Sequence, residues 1–476
     1  MSNLPVSLMA SLTNIKGFDK QAFEQVHASG EKVTSIRLNP AKKANISHQP
    51  GTENNESSLV SQLLTNDLDQ WKPVPWCNDG FYLSARPSFT FDPLFHGGAY
   101  YVQEASSMFL WQVLSQTIGD KTDGLKVLDL CAAPGGKSTL LASYFANGLV
   151  VANEVIRNRA SILAENITKW GSVNTVVTNN DPRDFGALGG FFDVMVIDAP
   201  CSGSGLFRKD EDAIAEWSED NVQLCSQRQQ RILADAYGVL KNDGLLIYST
   251  CSYSKQEDED ILDWICAELG AETVKLSLKE EWGITEVQGD KEKAYGYRFY
   301  PYLLKGEGFF IAAFKKRGGT ESSFRVKDLQ KSSKEEIAAA GQFVSSKTDL
   351  FYFKQAENII AIPAIWKADI AILQSCLYLR KAGVAIGALK GKDLVPNHEL
   401  ALSLIGDAAV AKADLNYAQA IQYLQKKEMA VNNISKGWTL AAYAGIALGW
   451  MKVLPNRINN YYPVEWRILK ESANGL

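Results

Sequence analysis

Short apolar runs alternate with stretches of helical spacing through the middle of the chain. The runs fall at 127–130 (VLDL), 148–153 (GLVVAN), 174–178 (NTVVT), 192–197 (FDVMVI), 245–249 (LLIYS) and 308–314 (GFFIAAF). Runs this short, bounded by glycine or polar residues, suit buried strands. Between them lie helical stretches, such as the one holding Arg157, Arg159, Leu163 and Trp170 and the one holding Gln223, Gln227, Arg231 and Ala234. Strands and helices alternating at this spacing predict a mostly parallel, doubly wound α/β sheet, with 308–314 as its last strand.

The flanks read differently. Leu8, Leu12, Ile15, Phe18, Phe23 and Val26 have helical spacing, and 33–38 reads as a strand stopped by Asn39-Pro40. Residues 41–57 read as a polar loop, 59–68 as a helix, and 71–83 as short strands broken by prolines. Residues 1–95 therefore form a small α+β module and 96–316 the main domain. At 97–113 a glycine turn leads to a strand and a helix, and Gln103, Glu104, Ser106 and Ser107 at the helix start either line a site or only cap it. Residues 317–335 are polar and glycine-bearing and read as a linker. The remainder, 336–476, mixes short strands and helices.

Composition narrows the function classes. No stretch approaches the ~18 uninterrupted apolar residues of a spanning helix. The first 20 residues show no export signal. None of the seven cysteines has C-x-x-C spacing, and the four histidines (His27, His48, His96, His398) are far apart. These features argue for a reducing, cytoplasmic setting, and against a metal site, a histidine triad and a membrane partner. Net charge is −5, but residues from Thr320 onward carry +5 and the rest −10. The basic end is either a local phosphate-binding surface or ordinary variation. The aromatic and basic stretch 449–462 (GWMKVLPNRINNYY) suits RNA stacking and phosphate pairing as well as it suits a small core with a basic rim.

The candidate chemistry gathers at strand ends. The first run leads into Cys131-Ala132-Ala133-Pro134-Gly135-Gly136-Lys137, after which a helix starts with Ser138 as a first-turn cap. The turn has neither the three-glycine dinucleotide spacing nor a phosphate loop. It fits a nucleoside-like cofactor with an amino-acid tail, such as S-adenosylmethionine, or a tight turn without a ligand. Glu154 ends the second strand, about where a ribose-binding acid is expected, though a helix-start charge has the same position. Asp181 follows the third strand. Asp198 and Cys201 follow the fourth, and Cys251 the fifth, where open parallel sheets bind ligands. Two thiols and an acid beside a methyl donor suit the methylation of cytosine carbon 5, which needs a thiolate to add at carbon 6 first. Arg208 or Lys209 would favour that thiolate. The residues alone do not rank Cys201 against Cys251. The other five cysteines read as packing residues, Cys77 excepted, which stays open.

The motifs LCAAPGGK (130–137), DAPCSGSG (198–205) and STCS (249–252), in this order and spacing, resemble the RNA cytosine-5 methyltransferases of the Sun/Nop type. The resemblance spans residues ~30–316. It implies a Rossmann-like sheet in which Cys131–Lys137 and Asp198 bind S-adenosylmethionine, Glu154 holds the ribose and Asp181 lies beside the adenine. It also implies Cys251 as the nucleophile and Cys201 as the aid to product release. The whole layout is similar to a bacterial branch that acts on small-subunit ribosomal RNA and carries a PUA-like, β-rich RNA-binding region at its C-terminus. The alternatives are an RNA-binding assembly factor without catalysis, or a methyltransferase acting on transfer RNA or at another atom.

Overall fold

The computed structural model describes residues 4–43, 71–319, 323–324, 327–345, 347, 349–429, 431 and 434–471. The helix expected at 59–68 and most of the loop expected at 41–57 lie outside them. The first three residues of that loop, 41–43, belong to a helical turn at Pro40–Lys43.

The predicted apolar runs become β1 (Lys126–Asp129), β2 (Leu149–Asn153), β3 (Thr175–Thr178), β4 (Phe192–Asp198) and β5 (Leu240–Thr250), all parallel in the order β3-β2-β1-β4-β5. Alternate residues feed two cores. Leu128, Val151, Met195, Ile197, Leu246 and Tyr248 face one side, and Val127, Val150, Val194, Val196, Leu245 and Ile247 the other. Helix α1 (Gly136–Tyr144) packs Leu140 and Leu141 into the second core, and α2 (Arg157–Trp170) follows β2. Helix α3 (Glu219–Ala236) packs Ile232 and Leu233 into the first core, as α4 (Glu259–Leu269) does with Ile261 and Leu262. Sheets covered on both faces read as near-continuous apolar runs, which is why these strands were visible in the sequence.

The sheet is less parallel than expected, and 308–314 is not its last strand. β6 (Thr285–Gln288), β7 (Tyr295–Phe299) and β8 (Phe309–Lys315) extend it antiparallel, in the order β6-β7-β8-β5. At the other edge β9 (Leu379–Ala382) pairs antiparallel with β3. A strand from beyond residue 336 thus completes the central sheet.

The flanks are tied to the centre. Two helices, Val6–Ser11 and Lys20–Ala28, stand where one periodic stretch was read. A four-stranded sheet combines Lys72–Pro73, Gly80–Tyr82, Ser35–Leu38 and Tyr100–Val102. Its Ile36, Leu38, Phe81 and Tyr100 share a core with Tyr423, Leu448 and Met451. The C-terminal part holds two further four-stranded sheets, one within 350–396 and one within 412–460. Trp450 joins them, packing beside Ile386 and Leu400 and donating its indole N–H to Asn397 O at 2.9 Å. The stretch read as a linker is anchored where it is described. Leu329 is buried in the first core, and Lys331 bridges to Phe353.

Candidate active site

Strand order reverses between β1 and β4, and ligands in open sheets bind outside the carboxyl ends at such a point. A cavity of about 190 Å³ lies there. Its floor is the turn after β1, through Cys131, Ala132, Ala133, Pro134, Gly136 and Lys137, and Asp129 and Asp198 reach it from β1 and β4. Gly135 adopts φ +117°, a region that favours glycine, and starts α1. Ser138 is not the cap: its hydroxyl donates to Asp129 Oδ2 at 2.6 Å inside the protein. Asp129 is fully buried, its Oδ1 has no hydrogen-bond partner, and burial pushes its carboxyl up to about 7.

The opposite wall comes from Tyr101, Gln103, Glu104 and Ser107, while Ser106 is not part of it and donates its hydroxyl to Glu307 O at 2.9 Å. The wall residues line the cavity, and Glu104 also accepts from the Ser107 N–H at 3.1 Å. Arg37, buried in the N-terminal sheet, holds this wall to the turn. Its guanidinium donates to Gln103 Oε1 at 2.8 Å, to Thr139 Oγ1 at 2.6 Å and to Gly136 O at 3.2 Å. A lone arginine in a strand gives no sequence signal for this role.

Asp198 is held from two sides. Lys137 Nζ lies 2.8 Å from Oδ2, and the Ser249 hydroxyl donates to Oδ1 at 2.9 Å. Beyond it the two loops meet, with Cys201 Sγ 3.0 Å from Cys251 Sγ, both as free thiols. The hydrogen bond with Cys251, then burial, then the charges of Cys251 and Glu257 raise the Cys201 thiol well above its ordinary value. Arg208 does not assist the thiols. It donates to Glu31 O and Gly306 O and pairs with the buried Glu307 at 3.4 Å, and Lys209 likewise bears on Glu307. Cys77 and Cys225 are buried.

Glu154 and Asp181 stand at the ends of β2 and β3, outside the residues that line the cavity. Glu154 is 3% exposed, accepts from the Ile156 N–H at 2.9 Å, and lies 3.4 Å from Arg159, which also donates to Ala133 O of the turn. Asp181 caps the turn of 3-10 helix at Pro182–Leu188.

Family models match three segments of the chain. They are the N-terminal domain of 16S rRNA methyltransferase RsmF at residues 4–105, 16S rRNA methyltransferase RsmB/F at 117–315, and the methyltransferase RsmF PUA domain at 410–468. The ribosomal RNA small subunit methyltransferase F of Aliivibrio fischeri is 31% identical over 438 residues, covering 86% of this chain and 90% of that protein. The chain belongs to the ribosomal RNA small subunit methyltransferase F family. The F protein of Psychromonas ingrahamii is 32% identical, over 82% of this chain and 84% of its own. The crystal structure of PH0851 shares the fold at TM-score 0.54 and 25% identity, over 66% of each chain. NSun6 from Pyrococcus horikoshii, solved with SFG, shares the fold alone at TM-score 0.50 and 19% identity, over 67% of this chain and 99% of that one.

An F-family chain is an RNA methyltransferase with a Rossmann-like catalytic fold, an N-terminal domain and a C-terminal RNA-binding PUA domain. Its methyl donor is S-adenosylmethionine. The cavity fits that group: it is lined by Asp129, whose buried Oδ1 has no hydrogen-bond partner, and by Gly136, where a Cβ would come within 3.4 Å of the facing Tyr101. Among the described residues no cluster of metal ligands occurs, and no helix is long and apolar enough to cross a membrane.

The raised carboxyl of Asp129 predicts a pH effect on the donor-free protein. The folded value, about 7, lies above the ordinary 3.8, so the folded state holds the extra proton between these limits. Stability then falls as pH rises through that window and levels off above it. Asp129→Asn removes this loss. In thermal melts, the variant should gain on the wild type from pH 4 to pH 7; a pH-independent difference contradicts the assignment.

Proposed function

We propose that this enzyme methylates carbon 5 of a cytosine in small-subunit ribosomal RNA, in the cytoplasm. The observation that carries this reading is the pair of thiols 3.0 Å apart at neighbouring strand ends, Cys201 following three residues after Asp198, which lines the donor cavity. Methylating an amino group or a ribose hydroxyl needs no thiol.

The Cys251 thiolate adds to carbon 6 of the flipped cytosine, and the electrons pass to carbon 5. S-adenosylmethionine, when bound, supplies the electrophilic methyl. Asp198, fixed by Lys137 and Ser249, accepts from the exocyclic amino group and supports proton uptake at ring nitrogen 3. Cys201 stays protonated and donates to the Cys251 sulfur before attack, which leaves Cys251 as the nucleophile. A base then takes the carbon-5 proton, the electrons of that C–H bond re-form the 5,6 double bond, and the C6–S bond breaks to release Cys251 as thiolate, which the protonated Cys201 aids by donating to the departing sulfur. Cys131–Lys137 and Asp198 hold the donor, with Glu154 on its ribose and Asp181 beside its adenine. Residues 1–95 and 336–476 contact the RNA around the domain at 96–316.

The test is nucleoside mass spectrometry of small-subunit RNA from cells lacking the chain, after incubation with purified enzyme and methyl-labelled donor. Label in 5-methylcytidine is expected. Label in another methylated nucleoside, or no label, would overturn the reading.

A further inference from the structure

The two cysteine loops leave different strands, and 50 residues separate their thiols. Something must hold them in register. Glu257, fully buried in the short turn Lys255–Glu257, touches both loops one residue beyond each cysteine. Its Oε1 accepts from the Ser202 N–H at 2.7 Å and from Gln229 Nε2 of α3 at 3.3 Å. Its Oε2 accepts from the Ser202 hydroxyl at 2.5 Å and the Ser252 hydroxyl at 2.6 Å. A carboxylate offers about four acceptor positions, and here all are used. The carboxylate is held in turn. The Tyr248 hydroxyl donates to Glu257 O at 2.7 Å, and Gln229 also donates to Pro200 O at 3.0 Å.

We infer that Glu257 is a positioning residue that straps the Cys201 and Cys251 loops together and sets the distance between their sulfurs. It touches neither thiol as a hydrogen-bond partner and acts through Ser202 and Ser252. The inference rests on the cysteine chemistry proposed above for its catalytic meaning, but the strap is tested without RNA. Phenylarsine oxide reads thiol proximity: arsenic forms two As–S bonds, and its oxygen leaves as water with the two thiol protons. No electron transfer is involved.

The intact protein should bind this probe at the pair, and Cys201→Ser should abolish that binding. Glu257→Ala should weaken capture at least about tenfold and lower kcat about 100-fold, the scale of a ~1 Å misplacement, with KM for donor and RNA nearly unchanged. Glu257→Gln should recover part of both, because its amide oxygen still accepts from Ser202 while its nitrogen cannot accept from Ser252. Ser252→Ala tests the same strap from the other end. Should Glu257→Ala not fold, these two variants decide: unchanged arsenical capture in both overturns the inference. So does a loss of donor binding in proportion to kcat, which marks general support of the fold. If the enzyme instead methylates another atom, the function fails while the arsenical results still judge the strap.

Discussion

Cys201→Ala should accumulate a covalent enzyme–RNA adduct that survives denaturing electrophoresis, while Cys251→Ala should form none. In the proposed chemistry Cys251, at the tip of β5, makes the bond to carbon 6, so its loss should cut turnover by roughly 10⁴-fold or more, the scale for removing a covalent nucleophile. Cys201 sits 3.0 Å away with a thiol raised well above its ordinary value, suited to donating to the departing sulfur during release. Without it the bond forms and persists. Adduct in the Cys251 variant, with none in the Cys201 variant, would exchange the two roles.

The second large effect concerns the base beneath the thiol loop. Arg298 of β7 is 1% exposed. It bonds Glu259 through two nitrogens, donates to Tyr253 O at 3.0 Å, and lies 3.1 Å from Asp258 Oδ2, close enough for an ion pair but not aligned as a hydrogen bond. Thr250, the residue before Cys251, donates to Asp258 Oδ1 at 2.7 Å. Arg298→Met would strand two carboxylates in the interior, a cost of about 3–5 kcal/mol. Melting of the catalytic domain should fall by about 10 °C. Arg298→Lys should restore little, because a point charge cannot reproduce the guanidinium fork. An unchanged melt in Arg298→Met would show that the carboxylates gain protons without penalty.

The parallel half of the sheet was legible because strands buried on both faces must be apolar throughout. Of the antiparallel half only β8, itself an apolar run, was. Thr285–Gln288 (TEVQ) has one apolar residue, Tyr295–Phe299 (YGYRF) carries Gly296 and Arg298 among its aromatics, and Leu379–Ala382 (LRKA) holds two cations. Only tertiary packing makes strands of them. The meeting of Cys201 and Cys251 followed from parallel order, since consecutive strand ends share one rim. Glu257 and Arg37 could not be found this way. Their partners lie up to about a hundred positions away, and one buried charge leaves no periodic trace. Ser138 misled because a hydroxyl at a helix start caps it more often than it reaches inward.

Strand β9 gives the molecule a fixed span. It adds a rung to the catalytic sheet, and the chain continues at once into the sheet that Trp450 clasps. The PUA segment is therefore bolted to the catalytic sheet instead of hanging from a tether. So built, the enzyme holds its RNA-binding PUA segment at one set distance from the catalytic sheet.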